Sequence, residues 1–83
     1  MSEDEFDLID ELYFVQPYKF LQEELGWDDK KLLVILQELY DKGYIKCLIH
    51  PDKELFENID IQGEGTQYYY LATKKGLMHH NTI

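Results

Sequence analysis

The chain has 83 residues, room for one domain, and its 45% hydrophobic and 14% aromatic content is that of a packed core, which excludes a disordered segment. Seventeen carboxylates face eight cations, a formal charge of −9, and every cation is a lysine. A field of that sign repels polyanions, and the lack of arginine removes the side chain best suited to bidentate guanine contacts and narrow minor grooves.

The first element predicted is a helix over residues 4–14, where Phe6, Leu8, Ile9, Leu12 and Tyr13 recur at helical spacing with Asp7, Asp10 and Glu11 opposite. Ser2 followed by Glu5 three positions later has the form of a capping box. Gln16-Pro17 breaks this helix, because proline disfavours helical geometry in the residue before it. A shorter helix follows over 18–25, with Phe20, Leu21 and Leu25 inward and Gly26 placed to end it. Asp28 then caps a third helix that runs to about Lys42, with Asp29 in the first turn where the macrodipole favours negative charge. Its Leu32, Ile35, Leu36 and Leu39 recur at i, i+3, i+4 and i+7, and Gly43 terminates it.

Beyond Gly43 the period drops to two. Residues 44–49 alternate Ile45, Cys47 and Ile49 against Tyr44, Lys46 and Leu48, as a strand does. His50-Pro51-Asp52 reads as a turn. Residues 55–61 are ambiguous, since Ile59 and Ile61 alternate over too short a stretch. Gly63-Glu64-Gly65 reads as a second turn, and the tyrosine-rich 66–71 as a strand pairing with the first. In that strand Tyr69 points opposite to Tyr68 and Tyr70, so one face is core. Thr73 caps a last short helix through Lys74, Lys75 and Leu77, and His79 and His80 fall in a tail to which no role is assigned.

Helix, helix, tight turn, helix, strand, wing, strand is an order that resembles the winged helix-turn-helix superfamily of bacterial transcriptional regulators. The residues carrying the resemblance are Leu21, the Leu25-Gly26-Trp27 turn, Leu32, Leu36 and Leu39, the Gly43-Tyr44-Ile45 exit, and residues 70–76. That last segment is similar to a Tyr-x-Leu-Thr-x-x-Gly closing motif, with Ala72 in place of leucine. The resemblance implies an α+β fold over residues 1–83: a three-helix bundle with a helix-turn-helix, a two- to three-stranded antiparallel wing and a short C-terminal helix. It also implies that the outward residues of the third helix would enter a DNA groove. By position these are Lys30, Lys31, Leu33, Val34 and Gln37, with Lys19 nearby. Gln22 departs from the small residue usual in such turns.

The residues themselves argue against that use. Leu33 and Val34 offer no hydrogen bond to a base edge, Asp28 and Asp29 sit where phosphates would approach, and the wing carries Asp52, Glu54, Glu57, Asp60 and Glu64 against Lys53 alone. The expected function is therefore a non-catalytic interaction module binding a protein partner or a second copy, and the alternative is a DNA-binding regulator acting as a dimer. Candidate partner-binding residues are Leu33, Val34, Gln37, Phe6, Leu8 and Leu12; under the alternative, nucleic acid would meet Lys19, Lys30, Lys31 and Gln37. Leu33 and Val34 could equally be half-buried and singly exposed, and the apolar arc of the first helix could equally be ordinary core.

No cofactor, metal, small-molecule substrate or membrane partner is expected. Cys47 and His50 have a metal-like spacing, but three apart on a strand they face opposite sides, and two ligands do not make a structural zinc site. No serine sits near a histidine and base, and no glycine-rich phosphate loop occurs, so no enzyme is expected. No apolar run approaches the roughly 20 residues of a membrane span, the acidic residues 1–5 are unlike a leader, and a lone cysteine fits a reducing cytoplasm.

Overall fold

Helix α1 (Glu3–Asp10) opens on the expected capping box: the Ser2 hydroxyl accepts the Glu5 N–H at 3.1 Å, and the Glu5 carboxylate accepts the Ser2 N–H at 2.9 Å. The structure, a computed structural model, describes residues 1–82. The helix stops four residues short of the expected end. The Leu12 carbonyl accepts the Ala72 N–H at 3.0 Å, a tertiary bond to the far end of the sheet, and Tyr13 and Phe14 are left exposed beyond it.

The proline break is also a strand. β1 (Gln16–Pro17) pairs with Tyr69 and Tyr70, and α2 (Tyr18–Leu25) follows directly. Gly26 ends α2 in the left-handed conformation, φ 69°, at little steric cost. Asp28 caps α3 (Asp29–Asp41) by accepting the Lys31 N–H at 2.8 Å. Leu32, Ile35, Leu36 and Leu39 all turn inward as their spacing predicts. Gly43 then adopts φ 77° to redirect the chain into β2 (Ile45–His50), one residue later than expected.

β3 (Lys53–Glu54) lies in what reads as turn and irregular sequence. Of the ambiguous stretch after it, residues 55–60 are neither helix nor strand and Ile61 opens the next helix: Leu55 N–H bonds the Cys47 carbonyl at 2.8 Å, and Asn58 at φ 58° turns the chain away. The expected turn at 63–65 is instead helical. Asp60 accepts the Gly63 N–H at 3.0 Å to start α4 (Ile61–Glu64), and a 3-10 turn (Gly65–Gln67) continues it. β4 (Tyr69–Ala72) is shorter and later than the expected 66–71. Thr73 caps α5 (Lys74–Asn81), which runs well past Leu77.

Among the described residues the result is an α+β domain of five α-helices and a four-stranded antiparallel sheet in the order β1-β4-β2-β3. Tyr70 stands at its centre, opposite Gln16 on one side and Cys47 on the other. Tyr68 and Tyr70 are buried and Tyr69 is not, as the strand alternation predicts. The core joins Leu8, Ile9 and Leu12 of the first segment to Leu21, the inward row of α3 and the inner face of the sheet. No helix among the described residues is long and apolar enough to cross a membrane.

Candidate functional site

Helix α3 is the surface to which the sequence assigns binding, and its tip is acidic. Asp28 and Asp29 sit at the positive end of the helix dipole, where carboxylates are stabilised; Asp28 takes the Lys31 N–H, and both charges repel an approaching phosphate. Asp29 Oδ1 accepts the Tyr18 hydroxyl at 2.7 Å and the Gln22 amide at 2.9 Å. These two bonds hold the Asp29 carboxyl below its ordinary range, Tyr18 contributing most. Burial and then Asp29 push the Tyr18 phenol well above its usual range. Gln22, the departure from a small residue, thus braces α2 against α3.

Beside this tip, Lys31 lies 4.5 Å from the Trp27 ring centroid and 3.5 Å from Asp4 of α1. Lys30 and Lys19 are exposed and form no ion pair with described residues. Elsewhere Lys42 pairs with Glu5, Lys46 with Glu54, and Lys75 donates to the Lys42 carbonyl at 2.9 Å. Around α3, carboxylates therefore interrupt the lysines.

The flank of α3 is covered from within. The α4 and 3-10 segment packs on it, Gln62 Nε2 donating to the Leu33 carbonyl at 3.3 Å. Gly65 lies directly under Leu33, so that a Cβ there would meet Leu33 Cδ2 at 2.8 Å and the Tyr70 hydroxyl at 2.9 Å. Leu33 is accordingly half-buried against the core, while Val34 remains 44% exposed. Gln37 is half-buried and donates to Asp41 at 2.9 Å.

On α1 the expectation needs correction. Leu8 and Leu12 are 0% exposed core residues and belong to no binding surface. The broad apolar arc that made them candidates exists because α1 packs on both sides, against α3 and against α5. Phe6 is half-buried for the same reason: the ring of His80 stacks on it at 4.1 Å, inclined by 17°. The C-terminal histidines are thus not a free tail. His80 is buried, with Nδ1 2.8 Å from the Tyr13 hydroxyl, which also donates to Asn81 at 2.7 Å. Its Nε2 is 3.4 Å from Asp10, off the line of a hydrogen bond. His79 packs beside Tyr44. The signal in the sequence was Phe6 and Tyr13, two aromatic residues on the arc with no partner yet named.

Ser2 and Thr73 cap helices, and Cys47 is buried, its thiol pushed up to about 12 by burial. Among the described residues, no three His, Cys, Asp or Glu side chains converge to hold a metal. Comparison of the chain with protein-family models, with curated proteins and with solved structures gives no match.

Proposed function

We propose that this chain is a non-catalytic winged-helix module that binds another protein and does not read DNA. The winged-helix reading is supported by α1, α2 and α3 preceding the antiparallel pair β2–β4, and by β1 pairing on the far side of β4. In place of an open wing, the segment between β3 and β4 folds back as α4 and the 3-10 turn.

The observation that carries the reading is the state of α3: its flank is occupied by that segment and its tip by Asp28 and Asp29. A helix so covered and so charged is poorly disposed to enter a groove lined with phosphates. The buried Cys47 fits a reducing cytoplasmic setting. The alternative, a DNA-binding dimer working through α3, draws on Lys19 and Lys30, exposed and without an ion pair among the described residues.

The test is fluorescence anisotropy of labelled random duplex DNA titrated with the chain at low salt. No binding tighter than about micromolar is expected; a tighter complex that weakens steeply with added salt would overturn the proposal in favour of the alternative.

A further inference from the structure

Resting on the reading of this chain as a protein-binding module, we propose that its recognition surface is the groove between the end of α3 and the β2–β3 hairpin. Its occupant is a partner segment with one apolar anchor side chain flanked by lysine or arginine. The groove measures about 470 Å³. Tyr40, Ile45, Leu55 and Phe56 supply its apolar surface, and none of them is among the residues the sequence singles out for binding.

Three features converge here. Phe56 is the most exposed large apolar side chain among the described residues, 81% accessible, and the left-handed Asn58 immediately beyond Glu57 bends the chain away from it. An aromatic ring held in water beside a concavity is what an anchor site offers before it is filled. Next, β2 is unevenly covered. On the side away from β4 it is paired only as far as Cys47, through Leu55 and β3, so Ile45 and Lys46 have no strand beside them. Two open residues are too few for strand addition, so side-chain insertion must carry recognition.

Charge decides the occupant. Helix α3 ends in Glu38 and Asp41 with no cation in its last turn, although its dipole disfavours carboxylates there. Lys42 turns away to Glu5, and Lys75 donates to the Lys42 carbonyl with its Nζ over the Tyr44 ring beside Gly43. Inside the groove Lys46 pairs with Glu54 at 3.2 Å, which leaves Asp41, held by Gln37, as the lining carboxylate without an ion pair among the described residues. Glu57, next to Phe56 in sequence and exposed, adds to the negative field of this side. A second copy of the chain would bring its own charge of −9 to this side and is repelled; a basic partner is attracted.

The test is NMR titration of the full chain with three synthetic nine-residue peptides: one leucine between pairs of lysines, the same with glutamates for lysines, and the lysine peptide with alanine for leucine. The leucine–lysine peptide should shift the resonances of Tyr40, Ile45, Leu55 and Phe56, and the other two should bind about tenfold more weakly or not at all. Phe56→Ala and Asp41→Lys should each weaken it about tenfold without altering the rest of the spectrum. Raising the salt should cost Asp41→Lys less than the parent.

Equal response to the glutamate peptide, shifts confined to another face, or no shift at millimolar peptide would each overturn the groove assignment. Any of these leaves the protein-binding reading standing, since that falls only to tight duplex binding. Sedimentation of the same samples covers the remaining occupant: a dimer abolished by Phe56→Ala would assign the groove to a second copy and refute a basic partner.

Discussion

Glu5 and Lys42, 37 positions apart, close a 2.7 Å ion pair between the first turn of α1 and the end of α3. The Glu5 carboxylate is almost wholly buried and also bonds the Ser2 N–H, so a single side chain completes a helix cap and joins two helices. Burial alone would raise its pKa, but the Lys42 and Ser2 bonds outweigh that and hold it below its ordinary value of 4.5.

The depressed carboxyl gives a pH dependence of defined sign. Its stabilisation is full above the unfolded value of 4.5 and is lost as pH falls through the lower folded value. Denaturant titrations should therefore show stability falling on acidification below about pH 5, with Glu5→Gln flattening that limb. At pH 7 Glu5→Ala should cost about 1–3 kcal/mol, the range for a lost cap and a buried hydrogen bond. An unchanged acid limb in Glu5→Gln would refute the assignment.

Two glycines should respond to alanine for different reasons. Gly26 has open space around it and is constrained only by φ 69°, so Gly26→Ala should cost about 1 kcal/mol. Gly76 has no unusual backbone, yet a Cβ there would collide with the Tyr44 carbonyl, backbone that has no rotamer to yield. Gly76→Ala should cost about 2–3 kcal/mol or more by forcing α5 off the sheet, measured by urea unfolding.

Cys47 should resist alkylation in the native state. Its side chain is fully buried, and a thiol pushed up to about 12 carries almost no thiolate at neutral pH. Labelling by iodoacetamide should follow global opening, so a variant destabilised by 1.4 kcal/mol should label about tenfold faster. Fast labelling under strongly native conditions would show a local route to the sheet.

His80→Ala removes the ring stacked on Phe6 and the bond to Tyr13. Roughly 2 kcal/mol should be lost from the packing of α5 on α1. Hydrogen exchange should report it as faster amides within α5 while those of α3 stay protected. Equal acceleration throughout would mean that α5 does not open independently.

The parts legible in the sequence are those that local physics decides. Leu32, Ile35, Leu36 and Leu39 gave α3 its inward face, and Ser2, Asp28, Thr73, Gly26 and Gly43 gave the helix ends. Long-range pairing decided the rest. Gln16-Pro17 forms a strand because β4 lies alongside, and a proline is tolerated there since the outer side of an edge strand needs no donor. In α4 the Asp60 cap of Gly63 was visible as Asp-x-x-Gly, but the flanking glycines spoke for a turn. The groove escaped notice because Phe56 and Asp41 are fifteen positions apart, and neither is unusual until β3 brings them together.

The borders of the sheet carry a consequence for behaviour at high concentration. β1 and β3 are two residues long, and β1 includes a proline with no N–H to offer an incoming strand. Tyr69 and Tyr70, in a tyrosine-rich stretch suited to stacking into fibres, are paired with strands on both sides. Fibrillation should then be gated by unfolding: its lag time should track the unfolded fraction, and crowding the folded domain alone should leave it dispersed.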